Sequence, residues 1–170
     1  MVLPADREGT AGLKPASLPD IPAAMSLHLI KMAVGIEDVP HLARVQQQRR
    51  EQARARGEAP VARHLTRMTP RRSAELLDGG SIYWVIRGLV QVRQRILALD
   101  AATGSDGVPR CAIGLDAALL RVVPRPCRPF QGWRYLDPAD APPDSSAPGA
   151  ADSDELPPQL AAELRELGLL

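Results

Sequence analysis

Aromatic side chains are scarce in this chain: two Trp, two Tyr and one Phe in 170 residues. They bury more apolar area per residue than any other type, and all five fall in two short stretches. Tyr83 and Trp84 lie within Gly79–Leu99, GGSIYWVIRGLVQVRQRILAL; Phe130, Trp133 and Tyr135 lie within Phe130–Leu136, FQGWRYL. A small domain with so few aromatics is expected to bring the two stretches together. Cysteine and histidine are scarce too. Cys111 and Cys127 make neither a disulfide framework nor a metal-ligand spacing, and His28, His41 and His64 are scattered, so no metal and no other cofactor is expected. No apolar run approaches a membrane span, and no apolar core follows a basic flank at the start. The reading is a soluble, cytoplasmic protein without a membrane partner.

Lysine is the remaining scarcity. From Met25 to Asp137 one Lys and seventeen Arg face ten acids, a surplus of eight positive charges; from Pro138 onward one Arg faces seven acids. A basic body with an acidic tail fits an anionic partner, provided the arginines share a face. Base composition is the plainer source of so much Arg. The length suits one domain with a real core.

Composition divides the chain into four parts. Residues 1–24 are Pro, Gly, Ala and small polar residues without periodicity, expected to be a disordered extension, with Met25 as an alternative start. A single α+β domain is expected over 25–137. Residues 138–156 read as a disordered, acidic Pro/Ala/Asp-rich linker, and 157–170 as a short amphipathic helix carrying Leu160, Leu164 and Leu167.

Within the domain, Leu27 to Val34 suits a strand with His28 and Lys31 partly outside. Asp38 can cap a helix with Pro40 in its first turn, ending at Gly57. Its apolar stripe is thin (Val39, Leu42, Val45), and its far end carries Arg49, Arg50, Arg54 and Arg56. This is either a solvated helix end or a basic arm along a phosphate backbone. Val61–Met68 reads as a strand. Thr69-Pro70 reads as the start of a second helix that buries Leu76 and Leu77 and stops at Gly79-Gly80. Arg71 and Arg72 would then sit in its first turn, where the macrodipole disfavours cations. Either an anion binds there, or the two arginines point to solvent or pair with Glu75 or Asp78.

Ser81–Arg87 is the strongest strand, Gly88 permits a bend, and Leu89–Leu99 alternates. That alternation places Val90, Val92, Gln94 and Ile96 on one face and Gln91, Arg93 and Arg95 on the other. A loop over Thr103–Pro109 leads to a third strand, Arg110–Asp116, with Cys111 in the core. Leu119–Val123 suits a strand or a short helix, and Pro124–Pro129 must be extended. Arg125 and Arg128 flank Cys127 and would lower its thiol pKa.

Three functions compete. The first is an RNA- or nucleotide-binding module built on an Arg/aromatic/Gln cleft. In it Arg67, Arg71, Arg72, Arg87, Arg93, Arg95 and Arg134 would hold phosphates, Trp84 or Trp133 would stack, and Gln94 or Gln131 would read an edge. The second is an enzyme acting on a small anionic, phosphorylated substrate, with His64 as acid or base and Asp78 as carboxylate. The third is an assembly factor whose terminal helix binds a protein partner.

The strings SLHLIK, HLTRM followed by TPRR, LLDGGSIYWVIRG, RQRI and RPFQGWRYL, in that order, resemble a bacterial family of uncharacterised proteins, domain of unknown function family 1489. The resemblance covers Met25 to about Pro143 and implies a cytosolic protein, but carries no activity, cofactor or catalytic residue. The order strand, helix, strand, helix, then several strands predicts a mixed or antiparallel curved sheet, or a small barrel, with helices packed to one side. That element order is similar to PUA-like RNA-binding folds.

Overall fold

The computed structural model describes residues 26–145 and 158–168. The expected N-terminal extension and most of the expected linker lie outside the described residues. Seven strands form one mixed sheet: β1 (His28–Met32), β2 (Ala62–Thr66), β3 (Ser81–Ile86), β4 (Leu89–Thr103), β5 (Pro109–Leu115), β6 (Leu120–Pro126) and β7 (Trp133–Leu136). Their order is β2-β5-β4-β3-β1-β7, with β6 also paired to β4. The β1/β3 pair is parallel and the others are antiparallel. The fold is α+β, and the sheet is an open curved ladder rather than a closed barrel, since β2 and β7 end the path without pairing to each other.

The fifteen-residue β4 organises this sheet. Its first half holds β3 on one side and β6 on the other, and its second half holds β5. Such a long strand must bend, and two extra residues mark the bends. Val85 and Trp84 pair with Val90 and Val92, which leaves Gln91 as an insertion; Leu115 and Gly114 pair with Ile96 and Ala98, which leaves Leu97 as another. The first bulge corrects the expected alternation. Val90 packs with Tyr83 and Val85 on one face, whereas Val92 packs with the helices on the other. Gln91 turns back to donate from Nε2 to the Ile86 carbonyl (3.1 Å). Arg87 and Gly88 both have positive φ, 50° and 79°, which makes the β3–β4 connection a two-residue turn matched to strand twist.

Both helices of the main body cover one face. α1 (Val39–Ala55) starts where Asp38 accepts a hydrogen bond from the His41 N–H at 2.6 Å. Val39 and Leu42 of α1 and Leu76 of α2 (Ser73–Leu77) share a core with Leu29, Ile82, Trp84, Val92, Ile96, Ile113 and Leu115. α2 starts three residues later than Thr69-Pro70 suggests, and no side chain caps it. Leu77, expected inside, is 43% exposed, because five helical residues present only one inward position, Leu76.

The opposite face carries Tyr83, Val85, Val90 and Val122, covered by Ile30, Phe130, Leu136 and Ala141. His28, expected partly outside, is fully buried: its Nδ1 accepts the Ser81 N–H (3.1 Å), and its ring stands edge-on to Tyr83. Residues 138–145 open the stretch read as linker, yet they lie on this face. They include a 3-10 turn at Pro138–Asp140 and a bridge between Asp144 and Val122. Composition does not reveal that Asp144 has a half-buried arginine to meet. The segment read as strand or short helix from Leu119 is strand from Leu120 onward, and α3 (Pro158–Glu166) lies against β6.

Candidate functional site

The thin apolar stripe of α1 has a structural consequence. Beyond Leu42 the positions facing the sheet are Val45, Gln46 and Arg49, which do not fill the space above β1, β2 and β3. A cavity of about 180 Å³ remains, walled by Met32, Ile36, Leu42, Val45, Trp84 and Leu115. Its polar groups are Lys31 of β1, Gln46 and Arg49 of α1, and His64 of β2. Its lining contains no carboxylate, and neither Lys31 nor Arg49 is ion-paired among the described residues.

His64 is the unusual member. Its Nε2 is buried without a hydrogen-bond partner, and its ring stands edge-on to Trp84 at 5.5 Å. Burial, then the charges of Lys31 and Arg49, push its pKa down to about 4, so it is neutral at physiological pH. Burial also lowers the pKa of Lys31, whose Nζ donates weakly to the Gly132 carbonyl at 3.4 Å. Beneath these groups lies a paired-amide clamp. Gln46 Nε2 donates to Gln94 Oε1 (2.9 Å), Gln94 Nε2 returns a bond to Gln46 Oε1 (2.7 Å), and Trp84 Nε1 also donates to Gln94 Oε1 (3.2 Å). Gln94 thereby fixes the indole that forms the cavity floor.

The sheet divides the residues singled out from the sequence. Lys31 pairs in register with Trp84 on one side and Trp133 on the other, so the two aromatic stretches do meet across β1, on the helix-covered face. His64 and Gln94 belong to that face as well. Arg93 and Arg95 pair with Tyr83 and Ser81 in register, and Arg95 therefore points, like Arg93, to the face opposite Gln94. Arg93 is engaged there in a fork with Asp144, Nε to Oδ1 at 2.6 Å and a second bond at 2.7 Å, and it also reaches Ser81 Oγ. Arg134 lies over the Phe130 ring at 4.8 Å, and Gln131 is exposed beside it.

Arg67 and Arg71 are exposed outside β2 and α2, and Arg87 is exposed in the β3–β4 turn. Arg72 is held by Glu75 (2.7 Å), the ion pair that was the alternative to an anion site. Asp78 ends α2, exposed, and is not among the groups lining the cavity with His64. Burial pushes the Cys127 thiol pKa up, against the downward pull of Arg125 and Arg134, so flanking arginines do not activate it. Trp84 is too buried to stack on a base; Trp133, half-exposed, donates from Nε1 to the Met68 carbonyl (3.1 Å).

Sequence reasoning missed Lys31 and Gln46 as site residues. The signal was present for Lys31: it shares strand parity with the buried Leu29, so it points inward. Gln46 had none, because its partner Gln94 is 48 residues away.

The Arg93–Asp144 fork makes a prediction of its own. Because Asp144 is partly exposed, Arg93→Ala is expected to cost about 1–2 kcal/mol. A double-mutant cycle with Asp144→Ala in urea should return a coupling near 1 kcal/mol. A coupling indistinguishable from zero would mean the fork does not hold residues 138–145 on the sheet.

No curated protein and no solved structure matches the chain significantly. Residues 29–170 match the family described as "Protein of unknown function (DUF1489)". On that match, which spans the sheet, both helices and the cavity, the chain belongs to the DUF1489 family.

Proposed function

We propose that the chain is a nucleotide- or RNA-binding module that seats a phosphate group in the cavity beneath α1. The observation that carries this reading is the cavity's charge: Lys31 and Arg49 converge on it with no carboxylate in its lining. Cations held close together without counter-charge repel one another, and an anion relieves that repulsion. At about 180 Å³ the cavity is below the roughly 300–1,000 Å³ usual for a drug-sized ligand, so it suits a phosphate rather than a whole nucleotide. The base would lie outside, against the half-exposed Trp133 beside Lys31.

Titration of the full chain with adenosine 5′-monophosphate and with a 5′-phosphorylated RNA oligomer tests this. Binding should weaken as salt rises, and Lys31→Met should lose about tenfold or more in affinity, the worth of one charge-assisted hydrogen bond. The same variant should melt at a higher temperature, because it removes a partly desolvated charge without an ionic partner among the described residues. A residue of purely structural importance would lower the melting temperature instead. Absence of binding to either probe, or binding indifferent to Lys31 and Arg49, would refute the proposal.

A further inference from the structure

Building on that phosphate-binding reading, we infer that the cavity selects phosphate monoesters over phosphodiesters by taking up a proton on His64 as the ligand binds. The ring lines the cavity with Nε2 buried and without a partner, a costly state for a polar atom. A phosphate oxygen in the cavity is the partner that would satisfy it. The titratable and charged groups facing His64 are Lys31 from β1 and Arg49 from α1; β3 and β5 present only Trp84 and Leu115 to the cavity. Both facing charges are positive, and they oppose protonation only while no anion sits between them.

A bound dianion reverses that balance. The proton comes from solvent, resides on the imidazole, and is shared from Nε2–H to a phosphate oxygen, with no covalent change in the ligand. The site then offers three positive charges. A monoester, whose second pKa is about 6, brings nearly two negative charges at neutral pH. An internal diester of an RNA chain brings one, which leaves a net positive charge from Lys31 and Arg49 facing the imidazole and keeps it neutral. The inferred ligand is therefore a terminal phosphate, whether of a free nucleoside monophosphate or of an RNA end.

Calorimetric titration of the full chain near pH 6.5, repeated in buffers of different ionisation enthalpy, measures the protons taken up on binding. Adenosine 5′-monophosphate should bind with net proton uptake, and the His64 imidazole should titrate at a higher pH in the complex than in the free protein by NMR. A dinucleoside phosphodiester without a terminal phosphate should bind at least about tenfold more weakly. A 5′-phosphorylated RNA trimer that outcompetes the monophosphate would identify the RNA end as the source; equal affinity would identify the free nucleotide. His64→Gln should lose about tenfold in affinity near pH 6.5 and abolish the proton uptake. Monophosphate binding without proton uptake, or equal affinity for the diester, overturns this inference and leaves the phosphate-binding reading intact. No binding of any phosphate overturns both.

Discussion

Gln94→Leu is expected to cost about 3 kcal/mol of folding stability, more than any surface arginine in the chain. The volume changes little, so the loss is polar. Gln94 is fully buried and joins three elements: it exchanges two hydrogen bonds with Gln46 of α1, accepts from the Trp84 indole of β3, and donates to the Asp116 carbonyl beyond β5. Leucine leaves the indole N–H and both ends of the Gln46 amide without partners, at about 1–3 kcal/mol for each buried group left unsatisfied. The double variant Gln46→Leu/Gln94→Leu removes both halves of the amide pair and should recover at least half of the loss, since apolar replacement of both partners can be nearly neutral. Urea unfolding should show a lowered midpoint with unchanged slope for the single variant. If the single variant unfolds like the native chain, or the double is worse than additive, the clamp does not hold α1 to the sheet.

Acid should unfold this protein through His64. Its folded pKa of about 4 lies below the ordinary value of 6.5, so at neutral pH both folded and unfolded chains carry it neutral and no stability is lost. As pH falls from 6.5 the unfolded chain takes up the proton first, and stability drops until about pH 4, below which the loss is complete. Two and a half pKa units correspond to about 3 kcal/mol at most. The comparison that isolates the residue is native chain against His64→Gln, whose stability difference should shift in favour of the variant by up to that amount between pH 7 and pH 4.5. Parallel pH profiles would show that His64 titrates alike in the folded and unfolded chains. Inorganic phosphate at the same pH should blunt the native chain's acid loss, because an anion in the cavity favours the imidazolium.

Much of the fold was legible because it is local. The Asp38-Val39-Pro40 start of α1, the bend at Gly88, the apolar β-branched run of β3 and the glycine-rich loop into β5 each state their conformation within a few residues. Legibility failed where a distant partner decided the outcome. Thr69 looks like a helix cap, yet α2 begins only at Ser73 and no side chain caps it. Asp144 looks like part of a solvated acidic tail until Arg93, 51 residues earlier, is found beneath it. Val90 and Val92 share strand parity until Gln91 bulges out of a ladder whose neighbours, β3 and β6, come from either side in the chain.

The candidate site shows the same division. Arg93 and Arg95 could be assigned to one face from strand periodicity, and that they share a face holds. Which face it is could not be read, and it proved to be the one away from the helices. By itself the sequence determined most of the element types, the α+β class, the family and the concentration of aromatics in two short stretches, all of which follow from short-range periodicity, turn chemistry and recurring strings. Only the tertiary structure decided that α1 spans the sheet on too few apolar residues to close over it. Only there do Lys31, Arg49 and His64, drawn from three separate elements, meet around one cavity. Pairings between distant residues depend on the full three-dimensional packing, and no local pattern encodes which partner arrives.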